Sequence, residues 1–248
     1  MRVVACSSPS HDVLTEKWFL PTLGPGFEPD VFPIAQHCPS AEFEADGWHE
    51  QMNAKIQTVL SAFEADDEVV VFSDVDVRFF EGFTPAVART LLGRDDIVFQ
   101  QGGVDGSVCA GFFIFRVSDR FGGLLRRWSD EFASGAHVGD ESALNAALEV
   151  RRSYLGSRSL RLGDRVARGT FRAITTVAPR RSHSIHGVRW RALPRTVWNP
   201  GLSHPGVWTQ GSRLDVPQGI LVHHANHCVG VDDKLAQLAA VDAIVAVR

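Results

Sequence analysis

Two carboxylates, Asp74 and Asp76, stand one residue apart at the end of the apolar run Val69-Val-Val-Phe72. That run of β-branched and aromatic residues reads as a strand buried on both faces. In extended backbone, residues i and i+2 point the same way, so both acids are expected to project together from the strand's carboxyl end. This is the edge at which open α/β sheets bind ligands. Hard oxygen donors suit Mg²⁺ or Mn²⁺, which are held by one or two carboxylates together with substrate phosphates. The chemistry indicated is a metal clamp for a diphosphate. Asp-x-Asp alone is equally an ordinary solvated turn; the strand before it and three polar features after it favour the clamp.

The first of those features is Asp140-Glu141, adjacent acids where a helical pattern begins. The helix dipole favours their ionised forms, so Asp140 is either a plain cap or, with Glu141, a contact to sugar hydroxyls or to positive charge at a reacting carbon. The second is Leu221-Val-His223-His224-Ala-Asn-His227, three imidazoles within five residues just after an apolar stretch. No C-x-x-C pair and no H-E-x-x-H supports zinc. One imidazole completing a carboxylate and phosphate shell suits Mn²⁺, and the others are then structural. The third is Gly230 with Lys234, a glycine that lets backbone approach closely and a compact cation for phosphate oxygens. Lys234 is one of only three lysines in the chain.

The elements that must carry these groups alternate in period. Strands are expected at residues 3–6, 30–34, 69–72, 97–100, 110–115 and 219–224, and helices over 48–63 and 85–92 and near both termini. A further helix carries Leu124, Leu125, Trp128 and Phe132 behind a cap at Ser118 or Asp119. Such alternation implies a parallel or mixed sheet covered on both sides. Past residue 150 the pattern gives way to an Arg-, Gly-, Pro- and Trp-rich stretch of short strands and loops.

Composition narrows the class. The 248 residues are 44% hydrophobic and 22% charged, ordinary for a globular chain. No apolar run approaches the ~18–20 residues of a membrane span, and the amino terminus reads as a first strand rather than a signal segment. The scattered Cys6, Cys38, Cys109 and Cys228 fit reduced thiols and a cytoplasmic location. Between residues 151 and 195 there are twelve arginines and one acid, Asp164, leaving 13 basic and 28 acidic residues elsewhere. That asymmetry suits an anionic acceptor or a peripheral contact with anionic lipid; nucleic acid is disfavoured by the acidic total and the lack of a reading motif.

Taken in order, the apolar strand with D-x-D, then A-G-F-F-I-F-R, D-E-x-A-L-N and L-V-H-H-A-N-x-x-x-G-x-x-x-K resemble the nucleotide-diphospho-sugar transferases of the GT-A fold. The likeness is nearest to plant cell-wall xylosyl- and arabinosyltransferases and extends to bacterial lipooligosaccharide galactosyltransferases and glycogenin. It implies a mixed, mostly parallel sheet flanked by helices in one domain over residues 1–248. Within it, 1–150 would bind the nucleotide sugar, 151–218 would be an Arg-rich acceptor-side insertion and 219–248 would serve the metal and diphosphate.

The resemblance also implies roles. Ala5, Cys6 and Ser7 would hold base and ribose, and Lys55 would face the donor. Asp74, Asp76 and His224 would bind Mn²⁺ or Mg²⁺, with His223 as the substitute ligand and Asp74-Val75 beside the ribose. Ala110 and Gly111 would line the sugar pocket, Asp140 and Glu141 would flank the anomeric carbon, and Gly230 and Lys234 would hold the leaving diphosphate. The reaction implied is retaining transfer from a UDP- or GDP-sugar to a glycan, lipid-linked or protein acceptor. Glu141 stands where many relatives have Gln, which puts roles drawn from the Gln enzymes in question. Two other readings remain: a phosphohydrolase with Asp74 as nucleophile and Asp76 as acid, and a carbohydrate-binding module with a degenerate site.

Overall fold

A computed structural model describes residues 1–38, 45–61, 69–103, 105–150, 182–203 and 206–248. In chain order, β1 (Arg2–Ser7), β2 (Glu28–Pro33), β3 (Val69–Ser73), β5 (Ile97–Gln101), β6 (Val108–Arg116), β7 (His183–Ile185) and β8 (Val188–Ala192) form the larger sheet. Their spatial order is β2-β1-β3-β6-β5-β8-β7. Strands β6 and β7 run against the other five, so the sheet is mixed and mostly parallel. A smaller sheet joins β4 (Val77–Phe79), β10 (Val222–His224) and β9 (Val197–Trp198), with β10 in the middle.

Strand β3 is buried throughout because both of its faces are covered. On one face Val70 and Phe72 meet Phe113 and Phe115 of β6, under the apolar sides of α1 (Trp48–Ser61), α3 (Asp119–Ala133) and α4 (Asp140–Ala147). On the other, Val69 and Val71 meet Phe112 and Ile114, covered by Phe19, by α2 (Pro85–Leu92) and by the small sheet with Leu238 of α5 (Gly230–Ala246). A continuous apolar run is what such a sandwiched strand requires. Helix starts follow local chemistry: Ser118 Oγ accepts from Phe121 N and Thr84 Oγ1 from Val87 N, each satisfying an amide that the first turn leaves without a partner.

Two boundaries differ from the periodicity. The last strand covers only Val222–His224, because residues 218–219 form a turn, with Gly219 at φ +62°. Helix α5 begins at Gly230, itself at φ +76°, whereas the sequence pattern places the closing helix over residues 232–245. Residues 151–181, most of the Arg-rich stretch, lie outside the described residues; β7 and β8 lie within its remainder. Among the described residues no helix is long and apolar enough to cross a membrane. The architecture is the helix-flanked mixed sheet that the GT-A resemblance implies.

Candidate active site

Backbone register brings the separated acids and imidazole together. Strand β3 ends at Ser73, so the extended geometry expected for Asp74 and Asp76 stops one residue short; the chain bends there into β4, with Val75 buried in the core between them. Ser73 is paired with Phe112, which sets Gly111 beside Asp74, and Asp74 N donates to Gly111 O at 2.7 Å. His224 is paired with Val77, and Ala225 N donates to Asp76 O at 2.9 Å. One ligand atom each from Asp74, Asp76 and His224 then lies within 4.8 Å of the others.

The hydrogen bonds around His224 show what this cluster suits. Gln100 Nε2 donates to Trp198 O at 3.1 Å, leaving Oε1 to face His224 Nδ1 at 2.8 Å. A carbonyl oxygen accepts, so Nδ1 carries hydrogen and Nε2 of the neutral ring keeps its lone pair. That lone pair faces Asp76 Oδ1 at 3.2 Å and Asp74 Oδ2 at 3.9 Å. Three electron-rich atoms turned toward one another suit a cation among them, and oxygen donors with one imidazole fit Mn²⁺ or Mg²⁺. Gly111 leaves the room: a Cβ there would lie 2.3 Å from His224 Cε1 and 2.5 Å from Asp74 Oδ2.

Two of the three lysines flank the cluster. Lys55 Nζ lies 2.8 Å from Asp74 Oδ1 and 2.8 Å from Asp140 Oδ2, tying β3 to the start of α4. Burial alone would lower its pKa, but Asp140 and Asp74 more than offset that and hold it well above the usual range. Lys234 Nζ lies 2.7 Å from Asp76 Oδ2. Burial would raise the Asp76 carboxyl, but opposing charge, with Lys234 the largest contributor, holds that group well below the carboxylate range. Asp74 is raised, by burial and then by its neighbour Asp76, despite Lys55. The two acids of the pair are therefore electrostatically unequal.

Glu141 lies on the far side of Asp140. Burial, reinforced by Asp140, lifts its carboxyl to about 7, and the Cys109 thiol is hydrogen-bonded to it. Asp140 is the first residue of α4 after a Gly139 cap, and its Oδ1 accepts from Glu141 N at 2.9 Å. It is thus both a helix-start acid and part of the cluster. At the end of β1, burial and the nearby Asp74 push Cys6 up to about 12, while the Ser7 hydroxyl turns to Asp12 and Thr15. Ala5 is buried in the core, and the Ala110 methyl packs in the opposite core cluster, so backbone rather than side chain borders the site there.

His223 does not substitute for His224. Adjacent strand residues face opposite ways, and the His223 ring packs tilted against Trp198 at 5.0 Å, where burial and then His224 lower its pKa to about 3. His227 is also elsewhere, with Nε2 3.1 Å from Gly102 O.

Four groups at the site were given no role by the sequence. Gln100 orients His224. Asn145 exchanges both backbone hydrogen bonds with Val108 (2.9 and 2.8 Å) and fastens α4 to β6. Cys109 Sγ lies 3.6 Å from His224 Nδ1. His11, beside Ser10 Oγ at 2.9 Å, is pushed down to about 4 by burial and then by Lys234. A polar residue inside an apolar strand was a visible cue for Gln100, and Asn145 closes the D-E-x-A-L-N motif; Cys109 and His11 had none.

Comparison with known proteins places the chain. The profile of the nucleotide-diphospho-sugar transferase family matches residues 28–238. Among solved structures, the galactosyltransferase LgtC with donor and acceptor sugar analogs is 16% identical, with 60% of this chain and 70% of that one covered and a TM-score of 0.39. An active-site Gln→Glu mutant of LgtC is 14% identical over 97% of this chain and 96% of that one, at TM-score 0.48. The apo form of the glycosyltransferase GlyE from Streptococcus pneumoniae TIGR4 is 14% identical, covering 61% of this chain but only 44% of GlyE, at TM-score 0.41. No curated protein matches. On the profile match, which spans most of its length, the chain belongs to the nucleotide-diphospho-sugar transferases, a glycosyltransferase family.

Proposed function

We propose that the chain is a metal-dependent glycosyltransferase that moves a sugar from a UDP- or GDP-sugar to a glycan, lipid-linked or protein acceptor, with retention of anomeric configuration. The observation that carries this reading is the convergence of Asp74, Asp76 and His224, with Asp74 and His224 against the bare α-carbon of Gly111. These three residues would hold Mn²⁺ or Mg²⁺, which when bound supplies charge to stabilise a departing nucleoside diphosphate.

The chain's own groups have complementary parts. Lys234, with Gly230 at the open start of α5, is the cation assigned to the diphosphate. Lys55 holds Asp74 and Asp140 in a fixed relation, so the donor-binding acid and the sugar-binding acid move as one. Asp140 and Glu141 would flank the anomeric carbon, where carboxylate charge favours the positive character of a breaking glycosidic bond. The backbone of residues 5–7 and of Asp74-Val75 would take base and ribose, and Ala110-Gly111 the sugar. Retention is inherited from the family resemblance alone. The acceptor is assigned to the Arg-rich side on charge, with anionic carbohydrate or lipid favoured over nucleic acid.

Thermal melting with UDP or GDP tests the reading. One of the two should raise the melting temperature when Mn²⁺ or Mg²⁺ is present and leave it unchanged in chelator. No metal-dependent shift with either nucleotide would count against it. A phosphatase activity that is abolished in Asp74→Asn would instead favour the phosphohydrolase alternative.

A further inference from the structure

We propose that His227 is a positioning residue for the sugar-side wall of the site, clamping the turn that seats the Glu141 carboxylate; this rests on the glycosyltransferase reading above. Three observations converge on its ring. First, His227 has φ +56°, a left-handed conformation that is strained for a non-glycine residue and persists where surrounding contacts demand it. Second, its Nε2 lies 3.1 Å from Gly102 O. A carbonyl only accepts, so Nε2 is the protonated nitrogen. Third, the ring lies over Gly201 of the turn Pro200–Leu202, where a Cβ would stand 2.2 Å from Nε2.

The backbone joins a further segment, because His227 O accepts from Trp208 N. The ring thus links the loop before α5, the Pro200–Leu202 turn and the turn between β5 and β6. Gly102 connects this clamp to the chemistry. Its N donates to Ser107 O at 2.8 Å, closing the turn, and a Cβ on it would lie 2.8 Å from Glu141 Oε1. A shift of Gly102 therefore moves the surface on which the Glu141 carboxylate rests. Burial also keeps the His227 ring neutral, so its single hydrogen sits on Nε2.

The test uses His227→Asn and His227→Gln in the full chain. Asn tolerates the left-handed backbone but falls short of Gly102, whereas Gln places an N–H near the Nε2 position. With Mn²⁺ present, affinity is measured for whichever of UDP and GDP protects the wild type, together with steady-state hydrolysis of the matching nucleotide sugar. Nucleotide affinity and donor KM should stay within about threefold of wild type in both variants, kcat should fall at least about tenfold in His227→Asn, and His227→Gln should recover most of it. The inference is overturned if His227→Asn keeps full kcat, if Gln falls as far as Asn, or if nucleotide affinity falls in step with kcat.

Should the wild type neither bind nor hydrolyse, the glycosyltransferase reading fails and amide exchange decides the clamp separately. Faster exchange at Gly102 N in His227→Asn but not in His227→Gln supports it, and unchanged exchange in both overturns it.

Discussion

His224 sits against the bare α-carbon of Gly111, so closely that a β-carbon there would stand 2.3 Å from Cε1 of the ring. The same atom would lie 2.5 Å from Asp74 Oδ2, so one methyl group intrudes on two of the three candidate ligands. Gly111→Ala should therefore abolish the metal-dependent melting shift and reduce donor turnover by about 10²–10³. Overpacking should cost only about 1–3 kcal/mol of stability. An unaltered Mn²⁺ response would mean that the cation does not bind among these side chains.

Gln100 offers a test that leaves every proposed ligand in place. Gln100→Leu removes the acceptor at His224 Nδ1 and frees the ring to rotate. Loss of such an orienting partner typically weakens metal affinity about 10–100-fold. Calorimetric titration of Mn²⁺ checks this, and affinity equal to wild type would show that the ring is oriented by something else.

Lys55→Met should destabilise the chain by about 3–5 kcal/mol, because Asp74 and Asp140 are left close together without their shared cation. The lower end is expected, since the Asp74 side chain is 25% exposed and water screens it. Adding Asp140→Asn should restore part of the loss. Chemical denaturation of both single variants and the double variant measures the coupling; simple additivity would show that the lysine does not act through both acids.

Glu141 predicts a pH dependence with a definite sign. Its folded-state pKa, about 7, lies above the ordinary value of 4.5, so the fold favours the neutral acid. Stability from this preference is full below the unfolded pKa and is lost as pH rises through the folded one. Glu141→Gln removes that dependence. Its stability, followed by thermal melting, should match wild type near pH 4.5 and exceed it above pH 7, by a margin on the order of 1–3 kcal/mol after allowing for partial exposure. Parallel melting curves across the range would show that the buried acid carries no such strain.

Much of the fold was legible because its causes are local. A strand covered on both faces must be apolar at every position, and Val69 to Phe72 are. Ser118 marks a helix start because a hydroxyl satisfies an amide three residues on. The order of the four motifs was enough to bring the family into view.

Other features depended on contacts that no local pattern records. Alternation says that His223 and His224 face apart, but the pairing of His224 with Val77 settles which of them meets Asp76. Residue spacing could not link Lys55 to Asp140, or give His227 a partner at Gly102. The roles of Gln100 and Asn145 likewise emerge only where β5, β6 and α4 meet. Periodicity reflects which faces a segment must bury, and a short stretch of chain contains that information. The meeting of distant side chains follows from strand register, which is set by the packing of the whole sheet at once.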